Sequence, residues 1–151
     1  MSRTYGVGSF DNEPALQYVK ELESGFPLWM WVRLHLANCL DSSKEVLVIP
    51  AFEAQVGVAM VEAVAQMSGH GALDSPHAAE IARCAQKVNR ESPSLETIDR
   101  ALKVLDRIVR GPSELLQYWT ERGELAAWLA AVAELRARLE LARAECAPAE
   151  A

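Results

Sequence analysis

Two stretches of this sequence gather side chains that could do chemistry. The first is Tyr5-Gly6-Val7-Gly8-Ser9-Phe10-Asp11-Asn12-Glu13-Pro14-Ala15. Two glycines two apart suit a turn that needs positive φ or close backbone approach. Asp11, Asn12 and Glu13 could gather oxygen ligands for a hard cation, or the glycine turn could offer backbone amides to a ligand. Three adjacent side chains do not readily converge on one ion, and no second carboxylate cluster lies nearby to supply the roughly six oxygens such an ion takes. Helix capping is therefore the expected role: side-chain oxygens meet the free N–H groups, acidic charge sits at the positive end of the helix dipole, and Phe10 staples onto Ala15.

The second is His70, His77 and Cys84, seven residues apart. His70 precedes Pro76 and so lies off the helix that would align the other two, and no CxxC, HxxxH or HExxH spacing occurs. No metal is expected. Nucleophilic catalysis has no local signature either, with neither GxSxG nor SxxK present. There is no GxxxxGK[ST], and Gly6-Val7-Gly8 precedes no βαβ unit, so no nucleotide cofactor is expected.

Arg100, Lys103, Arg107 and Arg110 share one helix face and could pass for an anion-binding stripe. The pairs Glu96-Arg100, Asp99-Lys103 and Asp106-Arg110 set acid before base at i, i+4, each adding a few tenths of a kcal/mol to a solvated helix; a solvated face is expected. Phe26-Pro27-Leu28-Trp29-Met30-Trp31 is harder to assign. In a helix Trp29 and Trp31 point about 200° apart, so one can fill the core while the other stays at the surface, where Trp and Met serve as interface anchors. Burial of the whole helix by its neighbours is the competing reading.

These groups must be positioned by helices. Asp11 to Pro14 opens one with Ala15, Leu16, Val19 and Leu22 at helical spacing, and Ser24-Gly25 stops it. The segment from Pro27 to Leu40 is apolar on nearly every side, with Arg33 its only charge, so it is either central or covered by a partner. Val46 to Ile49 is a short β-branched run, a strand or extended packing over residues 45–49. Ala51 to Ser68 reads as the inner helix of the bundle and ends at Gly69. A helix follows through Ala78, Ile81, Ala82, Ala85 and Val88. Ser92-Pro93-Ser94 then starts the most amphipathic one, with Leu95, Ile98, Leu102, Leu105 and Ile108 on one face, ended by Gly111-Pro112. Ser113 starts Glu114 to Arg122, closed at Gly123, and a last helix carries Leu125, Trp128, Val132, Leu135 and Leu139. The expectation is an all-α bundle of about seven helices, one domain over residues 1–151, with its core in 5–145 and a flexible tail at 146–151.

At 151 residues, half of them hydrophobic, the chain can bury a core without metal or disulfide. Its net charge is −6, and the first 75 residues carry four basic and nine acidic side chains, which argues against nucleic acid as a partner. Cys39, Cys84 and Cys146 are odd in number and widely spaced, which fits reduced thiols. Neither an export signal nor a run of about 18 apolar residues is present, so a cytoplasmic place and no membrane contact are expected.

The opening motif resembles the start of a bacterial family known as domain of unknown function 4259, whose members begin Trp-Gly-x-Gly-x-Phe-x-Asn-Asp-x-Ala. Here the matching residues are Tyr5, Gly6, Gly8, Phe10, Asn12, Glu13 and Ala15, with Tyr for Trp and Glu for Asp. Similarity resumes around Ala59 to Ala65 with Glu62, from Leu95 to Arg110, from Ser113-Glu114-Leu115 through Trp119, and in the Trp128 to Leu139 helix. The resemblance implies the helical fold, carries over no catalytic residue, and gives weight to the Tyr5 to Ala15 segment. The favoured function is a non-enzymatic interaction or regulatory module, an immunity-type inhibitor being one form of it, binding an unknown protein partner or itself as a homodimer. The alternative is a small-molecule binder or hydrolase whose pocket is assembled from the opening turn with Asp11, Glu62 and Trp119.

Overall fold

Asn12 begins the first helix. Its side-chain Oδ1 accepts the Ala15 N–H at 2.9 Å while its carbonyl takes the first intrahelical bond from Leu16, so one residue serves two free donors. The computed structural model describes residues 6, 8, 9, 11–23, 30, 32–37, 39, 48–71 and 93–146. Five helices have defined bounds there: α1 (Glu13–Glu23), α2 (Ala51–Met67), α3 (Leu95–Arg110), α4 (Glu114–Arg122) and α5 (Leu125–Cys146). Residues 32–37 are helical as well, and no strand occurs among the described residues. The structure shows the all-α class, with six helical segments among the described residues, near the seven expected. The expected helix through Ala78 to Val88 lies outside the described residues, as does the 147–151 part of the expected tail.

α2 is the inner helix. Ala51 and every residue from Ala54 to Ala65 are buried, so it is enclosed on all sides rather than along one stripe. It packs most extensively on α3, and also meets α1, α4 and α5. α3 turns Ile98, Leu102, Leu105 and Ile108 inward, with Ala101 and Val104 between them. α5 presents Trp128, Val132, Leu135, Leu139 and Ala142, alternately four and three residues apart, as one inward stripe.

The turn between α3 and α4 shows why these residues sit where they do. Gly111 has φ +70, a backbone state that suits glycine. Ser113 is buried, accepts the Leu116 N–H at 3.1 Å to cap α4, and donates its hydroxyl to the Ile108 carbonyl at the end of α3 at 2.9 Å. The 46–49 run forms no strand among its described residues: Ile49 makes an isolated parallel bridge with Ser113. Its N–H donates to the Pro112 carbonyl, and its carbonyl accepts the Glu114 N–H.

The charged face of α3 departs from expectation. Glu96 does pair with Arg100 at 3.1 Å. Asp99, however, bonds Arg143 at 2.7 Å and Asp106 bonds Arg136 at 2.5 Å, both on α5, in place of the expected Lys103 and Arg110. α3 and α5 lie side by side, so a basic residue across the helix pair reaches the carboxylate better than one a turn away. Half exposed, these bridges set the registry of two helices more than they stabilise them.

Cys39 and Cys146 are free thiols. Cys39 is buried, donates to the Glu53 carbonyl at 3.3 Å, and its thiol is pushed up to about 12 by burial first and by the Glu53 charge second. Since the thiolate is the reactive form, Cys39 should stay unalkylated by iodoacetamide at pH 8 in the native chain and react in guanidinium. Peptide-resolved mass spectrometry checks this; rapid native labelling would contradict it.

Candidate functional site

The opening motif folds around the Asp11 carboxylate. The Gly8 N–H donates to Asp11 Oδ2 at 3.0 Å, the Gly6 N–H to the Asp11 carbonyl at 3.3 Å, and the Asp11 N–H to the Gly8 carbonyl at 3.1 Å. The two glycines are needed for close approach and not for positive φ: a Cβ on Gly6 would stand 2.9 Å from Asp11 Oδ2, and one on Gly8 only 2.6 Å. Asn12 Nδ2 closes the turn on the Ser9 carbonyl at 3.4 Å. The capping expected of the acidic cluster is thus supplied by Asn12, while Asp11 holds the turn and Glu13 is exposed in the first helical turn. Gly8→Ala should force the carboxylate away and lower stability by about 1 kcal/mol, the worth of the displaced hydrogen bond. A urea titration reads the change, and Gly8→Ala/Asp11→Ala should show less than the sum of the two single losses.

The turn lies against the bundle where several candidates meet. Gly6, Gly8, Asn12, Gln55, Val58, Leu115, Trp119 and Trp128 line a cavity of about 20 Å³, room for one water. Trp119 and Trp128 are each 3% exposed, and the Tyr118 ring meets Trp119 edge-on at 4.9 Å between centroids. Asn12 and Gln55, two of the buried polar side chains, are both at this cavity.

Glu62 stands beside it. Ser9 Oγ donates to Glu62 Oε1 at 3.3 Å, which ties the turn to α2. Arg138 of α5 grips the same carboxylate with both terminal nitrogens, Nη1 to Oε2 at 2.5 Å and Nη2 to Oε1 at 2.8 Å. Its Nη1 also donates to the His70 carbonyl at 3.0 Å, and its Nε reaches Glu134 at 2.8 Å. The Glu62 side chain is 7% exposed and that of Arg138 16%. Hydrogen bonding to Glu62 holds the Arg138 guanidinium still more firmly protonated than usual. His70 itself bonds Glu145.

The structure therefore brings Gly6, Gly8, Asn12 and Trp119 to one cavity, with Asp11 inside the turn and Glu62 joined to it through Ser9. Tyr5, Phe10, Trp29 and Trp31 lie outside the described residues. Met30 is described and is 45% exposed. Arg138, Gln55 and Trp128 escaped sequence reasoning as members of this cluster. The i, i+4 spacing of Glu134 and Arg138 is the one local signal that bears on Arg138, whose main partner is 76 residues away. Among the described residues no three His, Cys, Asp or Glu side chains gather as metal ligands would, and no helix is long and apolar enough to cross a membrane. His77 and Cys84 lie outside those residues.

The model of the family described as Domain of unknown function (DUF4259) matches residues 4–131, and the chain belongs to that family. No curated protein and no solved structure matches it.

Proposed function

We propose that this family member is a small cytoplasmic interaction module that regulates another protein by occupying it, an immunity-type inhibitor being one form of such a role. The observation that carries the reading is the outward pair Met30 and Leu34. They are four residues apart, hence on one helical face, and are 45% and 51% exposed, while Val32, Leu36 and Cys39 of the same segment are buried. The sequence posed a choice between a central helix and a covered one. The described residues instead divide between an inward set and an outward set, and an exposed Met and Leu on a helix anchored by its other face make a contact surface. The acid excess supports selection of a basic protein and disfavours nucleic acid.

A photo-crosslinking residue at position 34, irradiated in the native host, tests this. A discrete heavier adduct is expected. A chain that gives no adduct and is monomeric by light scattering would overturn the proposal, and a dimer that dissociates on Leu34→Glu would identify the partner as a second copy. The alternative of a small-molecule binder or hydrolase at the opening turn has less behind it. Between the described residues the cavity admits one water, Asp11 and Asn12 are engaged within the turn, and Glu62 is held by Arg138.

A further inference from the structure

We infer that the groove between the start of α2 and the outer side of α4 docks a basic, partly apolar segment of the partner protein; this rests on the interaction reading above and names the chemistry of its partner. The groove encloses about 460 Å³ and is lined by Pro50, Phe52, Glu114, Gln117, Tyr118 and Glu121, together with Ala51. Phe52 is 52% exposed on a helix that is otherwise almost wholly buried, and Val48, four residues before it, is 40% exposed. An aromatic ring so placed contributes nothing to the core, whereas flat apolar walls beside carboxylates suit the alkyl stem and cationic head of lysine or arginine.

The acidic side chains are held in place. Glu114 Oε1 accepts the Ala51 N–H at 2.7 Å, and Glu121 Oε1 accepts from Gln117 Nε2 at 3.1 Å. Among the described residues, no lysine or arginine lines the groove. The nearby Arg122 lies 5.4 Å from the Tyr118 ring centroid, donates to the Tyr118 hydroxyl at 3.0 Å and pairs with Glu124 at 3.2 Å, so its charge is met by Glu124. Charge complementarity selects the occupant. A second copy, also at −6, would bring like charge, and a phosphate backbone would be repelled, while a cationic segment with apolar side chains meets both features of the surface.

The full chain, labelled with nitrogen-15, can be titrated with a short amidated peptide of alternating lysine and leucine. Saturable shifts are expected at the Phe52, Tyr118 and Glu121 amides. Phe52→Ala and Glu121→Lys should each weaken binding about tenfold with the spectrum of the folded chain retained, and Leu34→Glu should leave it unchanged. Should either variant lose its folded spectrum, Gln117→Lys takes its place with the same expectation. Shifts elsewhere, unchanged affinity in Glu121→Lys, equal binding of a glutamate-leucine peptide, or equal binding of spermidine would each overturn the inference. If the position-34 crosslink forms while the lysine-leucine peptide fails to bind the wild-type chain, this docking site is wrong and the interaction reading stands. Loss of the wild-type crosslink removes both.

Discussion

Arg138→Met should cost about 3–5 kcal/mol of stability, the largest effect expected of any polar substitution in this chain, because it strands the Glu62 carboxylate in a buried site. The guanidinium is the shared partner of Glu62, the His70 carbonyl and Glu134, so its loss also frees a carbonyl and uncouples α5 from the end of α2. A further measurement separates this mechanism from simple loss of packing. Glu62→Leu/Arg138→Met should recover most of the deficit, since removing both charges leaves none unpaired. Urea unfolding of the three proteins is the experiment. A loss below about 1 kcal/mol in Arg138→Met would mean that the pair behaves as an exposed one.

Gly57→Ala should cost about 1–3 kcal/mol although alanine is the better helix former. Gly57 lies in the enclosed part of α2, where a Cβ would stand 2.7 Å from the Cys39 sulfur, 3.3 Å from Ile108 Cδ1 and 3.4 Å from Val104 Cγ1. The sulfur is the only one of these contacts that is impossibly short, so the clash has one main cause. Cys39→Ala/Gly57→Ala should therefore be more stable than Gly57→Ala alone, a sign reversal for a substitution that by itself opens a small void. Thermal unfolding of the four proteins of the cycle decides it. Strict additivity would show that the glycine is tolerated for some other reason.

Much of the scaffold was legible in the sequence because its signals are local. Ser94 and Ser113 as caps, Gly111 and Gly123 as stops, and the apolar spacing of α3 and α5 each depend on residues within one or two turns of each other. The opening turn was legible in kind but not in detail. Residue types announced a cap, yet which of three adjacent polar side chains would supply it depended on how the turn met the bundle, and Asn12 was the one turned inward. Glu62 and Arg138 were illegible as a pair for the same reason that Asp99 and Asp106 found partners on α5 rather than on α3: helix packing sets residues far apart in sequence closer than those one turn along. The exposure of Met30 and Leu34 was equally hidden, because an apolar run carries no mark of which face its neighbours leave bare.

The first turn of α2 has no side-chain cap of its own behind Pro50, and Glu114 supplies one from 63 residues further along. Together with the exchange between Ile49 and the Pro112 to Glu114 backbone, this fastens the starts of two helices into a single knot of three amides. Each of the three bonds has a partner within Pro112 to Glu114, so none of the amides is protected unless that segment is seated. In native-state hydrogen exchange the Ile49, Ala51 and Glu114 amides should open together as one cooperative unit.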